Sequence, residues 1–153
     1  MKRLPYIAIM CVFLWLGFVF AISFMEAWLK FRAPGVSLSV GLGIGKLVFS
    51  ALNKVEWIFA AIVLSCLFFD KTIIRTSNKI WLGFIILVLL AQTFWLLPLL
   101  AARADAIING GSSAPSSLHW LYVTAEVIKV ALLFSLGAEL LGYVQAKDFK
   151  KIQ

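Results

Sequence analysis

Ionisable and polar side chains recur at helical spacing inside the last long apolar segment of the chain. His119, Tyr122, Glu126 and Lys129 follow one another at steps of three, four and three residues. Such steps place side chains on one face of an α-helix, so these four residues are predicted to form a polar stripe. A charged side chain near the bilayer centre costs about 2.5–3.5 kcal/mol on insertion scales, so it usually faces the bundle interior and often marks a functional site.

A second polar stripe is predicted on another apolar segment. Four polar residues keep the same kind of spacing there: Lys46, Ser50, Asn53 and Glu56. Lys54 lies beside them. At about 1.5 Å rise per residue, Glu126 and Lys129 lie roughly 10–15 Å inside His119, and Glu56 is about as deep. Both stripes are therefore expected in the same, outer half of the membrane.

The two stripes predict a polar pocket between the helices that opens to the outer side. The inner half of the segments is almost entirely apolar, which favours a pocket with a closed bottom. We expect this pocket to bind, or to help transport, a small polar or ionic ligand. The candidate ligand-binding residues are Glu26, Asn53, Lys54, Glu56, Gln92, His119, Tyr122, Glu126 and Lys129.

Two other interpretations stay open. The buried charges can instead pair with one another and set helix register, in a non-catalytic structural or accessory subunit of a membrane complex. Its partner would be another membrane protein or a second copy of the chain. A membrane enzyme or redox protein is the least favoured, because the sequence has no nucleophile elbow, HExxH or phosphate loop. In an enzyme, Glu56 and Glu126 would supply the general acid and base.

No catalytic residue, cofactor or metal site is predicted. The lone His119 has no second His and no Cys nearby in sequence, and one His cannot supply two axial haem ligands. Cys11 and Cys66 each lie inside an apolar segment without CxxC or Cys/His spacing, so we interpret both as packing residues.

The composition explains why these stripes must lie in a membrane. Of 153 residues, 63% are hydrophobic and only 14% are charged, whereas about a quarter of an ordinary soluble domain is charged. Four apolar segments of about 20 residues or more are long enough to cross the hydrocarbon layer. We predict an all-α integral membrane four-helix bundle forming a single domain, 1–153. Its helices are expected at about 5–29, 46–69, 80–102 and 118–144.

Two interruptions are predicted in this pattern. Residues 36–45 alternate apolar residues with Ser and Gly, which favours a short extended or re-entrant stretch before the second helix. Pro98 is expected to kink the third helix.

The charge distribution predicts the orientation. The formal charge is +7, but the basic residues flank apolar segments and form no aromatic-interleaved basic face, so anionic lipid headgroups rather than nucleic acid are the expected partner. By the positive-inside rule, both termini are predicted in the cytoplasm, and the expected location is a bacterial inner membrane. Eight basic residues lie on the predicted inner side: Lys2, Arg3, Lys71, Arg75, Lys79, Lys147, Lys150 and Lys151. Four lie on the outer side: Lys30, Arg32, Lys46 and Arg103.

Several short motifs carry a resemblance to a known family. They are Trp15 and Gly17, then Phe31, then Gly45, Lys46, Leu47, Val48 and Phe49 followed by Ala51, Leu52 and Asn53, then Pro98, Arg103 and Asp105, and finally Leu118 and His119. With these motifs the chain resembles the transmembrane-protein-205-like family, also called domain of unknown function 4149, over nearly its whole length. The resemblance implies a compact four-helix membrane bundle. It carries over no well-established activity, beyond suggested roles of some members in drug or metal resistance. The chain departs from the family pattern at Ser50, where a Pro is common, and in the charges of Glu126 and Lys129.

Overall fold

The computed structural model describes residues 3–70, 76–111 and 117–149, and these form four long helices. Helix α1 runs over Leu4–Arg32 and α2 over Leu38–Phe69. Helix α3 begins as Thr76–Ala91 and continues through Gln92–Leu96 and Leu97–Ile108. Helix α4 is Leu118–Phe149. Five residues of the predicted inner basic set lie outside the described residues: Lys2, Lys71, Arg75, Lys150 and Lys151.

All four helices are long and apolar enough to cross a membrane. Their outward surfaces carry large hydrophobic side chains, as a surface in contact with acyl chains requires. Examples are Met10, Leu47, Phe68, Phe94 and Phe134, each more than half exposed. The predicted all-α membrane bundle is confirmed, and the protein is a multi-pass membrane protein.

The helices form a ring in which each packs against its neighbours along the chain and α1 closes the ring on α4. Helix α3 changes neighbour along its length. Its Thr76–Ala91 half packs mainly on α4, whereas its Leu97–Ile108 half packs mainly on α2. The apolar core fills the half of the bundle that contains Arg3 and Lys147. We call this the inner half and the half that contains Arg32 and Lys46 the outer half, after the predicted orientation. The core includes Val12, Trp15, Ile85, Leu89, Leu133 and Leu136, all fully buried.

The predicted extended or re-entrant stretch at 36–45 is wrong from Leu38 onward, because α2 begins there. Ser37 caps the helix, and its hydroxyl accepts a hydrogen bond of 3.3 Å from the backbone N–H of Val40. The glycines that suggested an extended chain serve helix packing. A Cβ at Gly41 would overlap the ring of Phe31, so glycine allows α1 and α2 to approach closely here.

The other helices extend beyond their predicted C-terminal ends. Helix α1 ends at Arg32 instead of 29, α3 at Ile108 instead of 102, and α4 at Phe149 instead of 144. The predictions stopped at the first charged residues, where the apolar segments end. The helices continue past the apolar segments because charged side chains do not interrupt backbone hydrogen bonding.

Two helices contain a π-helical segment, at Phe20–Glu26 in α1 and at Gln92–Leu96 in α3. The second lies immediately before Leu97 and Pro98, where a kink was predicted. Proline has no N–H to donate and its ring crowds the preceding turn, and the wider π turn accommodates this locally. Such turns often occur at functional sites, and these two carry polar side chains toward the bundle interior.

Candidate functional site

The two predicted polar stripes meet inside the bundle in what we call the charge cluster: Glu56 of α2, Glu126 and Lys129 of α4, Gln92 of α3 and Trp15 of α1. All five side chains are at most 1% exposed. Lys129 Nζ lies 2.5 Å from Glu56 Oε1 and 3.2 Å from Glu126 Oε2. Lys129 is therefore paired with one carboxylate on α2 and with one on its own helix, α4.

Two uncharged side chains add hydrogen bonds to the charge cluster. Lys129 Nζ donates to Gln92 Oε1 at 2.6 Å, while Gln92 Nε2 donates to Glu126 Oε1 at 3.1 Å. Trp15 Nε1 donates to Glu56 Oε1 at 2.9 Å. All four helices thus contribute a side chain to one dry network, so the cluster fixes their relative position.

The buried network contains more acidic than basic side chains, and burial makes this difference in charge costly. Removing an ion from water costs several kcal/mol, and a partner repays this only with good geometry and further hydrogen bonds. Lys129 is well paired, with two carboxylates and an amide oxygen. Glu56 and Glu126 together carry one negative charge more than Lys129 neutralises when all three are ionised.

Two buried oxygens beside the charge cluster make no hydrogen bond among the described residues: Ser23 Oγ, and Glu126 Oε2, whose contact is the ion pair with Lys129 Nζ at 3.2 Å. Ser23 lies in the π turn of α1 and is 9% exposed. The phenol of Tyr122 interacts with both Ser23 and Glu126. A polar corner with spare acceptor capacity therefore adjoins the ion pairs.

A second, smaller polar group lies on the outer side of the charge cluster. Asn53 Nδ2 and Trp57 Nε1 both donate to Thr93 Oγ1 at 3.0 Å. Thr93 is in the π turn of α3, and its hydroxyl lies 2.7 Å from the backbone oxygen of Leu89. Asn53 and Thr93 line the cavity described next, whereas no residue of the charge cluster does.

A cavity of about 400 Å³ occupies the outer half of the bundle. This volume is within the range of small-molecule sites, about 300–1,000 Å³. Its walls come from all four helices and are mostly apolar. The apolar lining includes Ala27, Phe31, Leu42, Phe49, Leu97, Pro98, Leu100, Ala101 and Ala104. The arrangement suits a ligand with an apolar body.

The ionisable side chains that line the cavity are basic or phenolic: Lys30, Lys46, Lys54, His119 and Tyr122. No carboxylate is among the described lining residues. Two of the lysines are paired with carboxylates that do not line the cavity. Lys30 pairs with Glu26 at 3.1 Å and Lys46 with Asp105 at 2.6 Å. Lys54 has no carboxylate partner within the described part of the chain, so the cavity retains positive charge.

The cavity lies where α3 and α4 separate. The Leu97–Ile108 half of α3 packs on α2 and has little contact with α4. Pro98 and Ala104 of α3 and His119 and Tyr122 of α4 line the cavity across this gap. The separation begins at the π turn that precedes Pro98, and this turn therefore divides a dry inner half of the bundle from a hollow outer half.

The predicted site residues fall into two places. Glu56, Gln92, Glu126 and Lys129 come together in the charge cluster, and Asn53, Lys54, His119 and Tyr122 line the cavity. Glu26 does neither and binds Lys30. The pocket and the buried charges are thus neighbours, with Tyr122 between them, rather than one compartment. Ligand binding by any of these residues stays a prediction.

Sequence reasoning missed several polar contacts of the site. The contact of Trp15 is one of them, because nothing in its sequence context distinguishes this buried residue from the exposed Trp28. Thr93 could have been found, because it follows Gln92 directly within an apolar segment. Ser23 precedes Glu26 by three residues, a helical spacing that also marks one face.

The described residues contain no cluster of three or more His, Cys, Asp or Glu side chains that could hold a metal ion. Cys11 and Cys66 are both buried and free. Comparison with known proteins adds no assignment: no family model matches the chain, and no curated protein or solved structure is significantly similar to it. The resemblance to the transmembrane-protein-205-like family therefore stays a prediction.

Proposed function

We propose that the protein is a binding or transport-associated membrane protein whose outer cavity holds a small anionic ligand with an apolar body. The observation that carries this proposal is the lining of the cavity, which has apolar walls and basic residues without a carboxylate. Lys54 is central to it. This residue lies near the middle of α2, lines the cavity and has no carboxylate counter-ion among the described residues.

The position of the cavity supports an amphipathic ligand in particular. The gap between α3 and α4 adjoins the lipid-facing surface, where Trp120 is 72% exposed beside His119. A molecule dissolved in the outer leaflet reaches such a gap without crossing water. Its acidic group would meet Lys54, and its chain would contact the apolar walls.

The charge cluster has a different role in this proposal. Its side chains are buried and contact one another, so we propose that the cluster closes the inner end of the cavity and holds the four helices in place there. The apolar core between the inner halves of the helices leaves no polar path past it in the described structure. Movement of a ligand across the membrane would therefore require these helices to separate.

Lys54→Met is expected to weaken binding of an anionic amphiphile about tenfold to a hundredfold. A hydrogen bond to a charged group contributes about 1.5–3 kcal/mol, and 1.4 kcal/mol corresponds to a factor of ten. The measurement is titration of dodecanoate into the protein in nanodiscs, followed by intrinsic tryptophan fluorescence. Empty nanodiscs correct for partition of the probe into lipid.

Two comparisons make this test specific. Lys147→Met changes a lysine near the end of α4, away from the cavity, and should bind dodecanoate like the wild type. Dodecyltrimethylammonium has a similar chain with a positive headgroup and should bind much more weakly. Equal binding of the two amphiphiles, or equal affinity of Lys54→Met and the wild type, would contradict the proposal.

We further propose that both termini lie in the cytoplasm of a bacterium, with the protein in the inner membrane. The basic residues of the whole sequence support this orientation, because eight of them flank the predicted inner ends of the helices and four flank the outer ends. A fluorescent protein that folds only in the cytoplasm should be fluorescent at the C-terminus. Alkaline phosphatase, which is active only outside, should be active when inserted after Gly110. The opposite pair of results would reverse the orientation.

A further inference from the structure

The charge cluster has an unbalanced charge count. Glu56 and Glu126 contribute two negative charges and Lys129 one positive charge, and all three side chains are at most 1% exposed. The side chains that face them from α1 and α3, Trp15 and Gln92, are uncharged. A net charge of this kind inside a low-dielectric bundle is costly. A single bound cation removes it.

The acceptor oxygens beside the ion pairs show where such a cation fits. Glu126 Oε2 lies 3.2 Å from Lys129 Nζ but accepts no hydrogen bond from the described residues. Ser23 Oγ makes none either, and the Tyr122 phenol interacts with both residues. Tyr122 also lines the outer cavity. A metal cation generally needs about six oxygen ligands, which is more than this corner offers. A proton needs one acceptor oxygen and one hydrogen-bond partner.

We propose that the charge cluster binds one exchangeable proton, shared by the carboxyl groups of Glu56 and Glu126, which reaches it from the cavity past Tyr122. The step is a proton transfer and nothing else. A hydronium ion that enters the cavity gives up a proton and becomes water, an O–H bond forms on a carboxylate oxygen, and the reverse step returns the proton to water as hydronium. Two carboxylates that share a site commonly hold one proton between them. This inference does not depend on the anionic ligand.

The proton can be counted by infrared spectroscopy of the full-length protein in nanodiscs at neutral pH. A protonated carboxyl group absorbs apart from an ionised one. Charge balance predicts one protonated group in the wild type, none in Glu56→Gln, none in Glu126→Gln, and two in Lys129→Met. Each glutamine variant is close in shape to the native residue and leaves an electrically neutral cluster, so both are expected to fold.

Other carboxyl groups provide the controls. Asp105→Asn removes an exposed carboxylate that is paired with Lys46, and should leave the count unchanged. Glu139→Gln identifies any contribution from the carboxyl group bound by Ser77 and Trp81 at the other end of the bundle. Absence of a protonated group in the wild type would overturn the proposal. So would a count of protonated carboxyl groups in Glu126→Gln that equals the wild-type count. A wild-type count that falls when the choline salt of the buffer is replaced by a sodium salt would also overturn it, because sodium would then occupy the place of the proton.

The route is tested separately with Tyr122→Phe. This variant keeps the ring and removes the hydroxyl, so the proton count should be unchanged. Exchange of the carboxyl proton for deuterium should slow by about tenfold, as expected when a hydrogen-bonded step of about 1.4 kcal/mol is lost. Tyr143→Phe changes a phenol elsewhere on α4 and should exchange at the wild-type rate. An unaltered rate in Tyr122→Phe would overturn the route through the cavity.

Discussion

Lys129→Met is expected to lower the free energy of unfolding by about 3–5 kcal/mol, the usual loss when one partner of a buried ion pair is removed. Lys129 contacts Glu56, Glu126 and Gln92, and methionine offers none of them a donor. The two carboxyl groups then have no cation beside them in a buried interior, and they must take up protons to lose their charge. Reversible unfolding in mixed detergent micelles, followed by circular dichroism, measures the change.

Two further variants show whether charge is the cause. Lys54→Met makes the same substitution at an exposed, cavity-lining lysine and should change stability by less than about 1 kcal/mol. The triple variant with Glu56→Gln and Glu126→Gln added should recover most of the loss, because no ionised group stays buried. A loss of similar size in the triple variant would instead indicate that the lysine acts through packing.

The pH dependence of the Lys129→Met variant gives an independent check with a defined sign. Its folded state must take up protons on Glu56 and Glu126, whereas the unfolded state leaves these groups ionised near neutral pH. The native state therefore binds more protons than the unfolded state, and stability falls as pH rises. The destabilisation should accordingly shrink when unfolding is measured at lower pH. A destabilisation that is independent of pH would argue against uncompensated carboxylates.

The inward direction of the buried charges was predictable from sequence because it follows from energetics. Glu126 and Lys129 cannot face acyl chains at low cost, and their spacing to Tyr122 defines one helix face. The same reasoning applied to Glu56. These residues do meet in the structure, and Lys129 Nζ lies 2.5 Å from Glu56 Oε1.

The separation of these charges from the pocket was not predictable. Depth along a helix gives the level of a residue but not how closely neighbouring helices approach at that level. The structure shows that α3 packs on α4 up to the π turn and then packs on α2. Glu126 lies on the inner side of this change of neighbour and His119 on its outer side. The polar stripe of α4 is therefore buried at one end and lines the cavity at the other.

The start of α2 illustrates a second limit of sequence patterns. Glycine and serine are weak helix formers, so their alternation at 36–45 was reasonably interpreted as irregular. Tertiary packing reverses this preference. Gly41 and Gly45 are the positions where the side chains of Phe31 and Lys30 cross α2. Small residues at such crossings favour close helix packing in membranes.

Trp15→Ala is expected to destabilise the protein by about 3 kcal/mol, the low end for truncation of a buried aromatic residue, since lipid supplies little hydrophobic driving force. Trp15 is fully buried, lies against Phe59 and donates to Glu56. Trp15→Phe keeps most of the packing and removes the donor, so it should cost about 1–3 kcal/mol. The same micelle unfolding experiment measures both.

The comparison of these two variants separates packing from hydrogen bonding. Adding Glu56→Gln to Trp15→Phe removes the negative charge to which the indole N–H donates. The losses of stability from the two substitutions should therefore be less than additive. Trp95→Ala removes a tryptophan that is 54% exposed toward the lipid and should change stability far less. Equal losses for Trp15→Ala and Trp95→Ala would contradict the buried position of Trp15. Strict additivity with Glu56→Gln would show that the indole stabilises the bundle through packing alone, and that the dry network does not extend to α1.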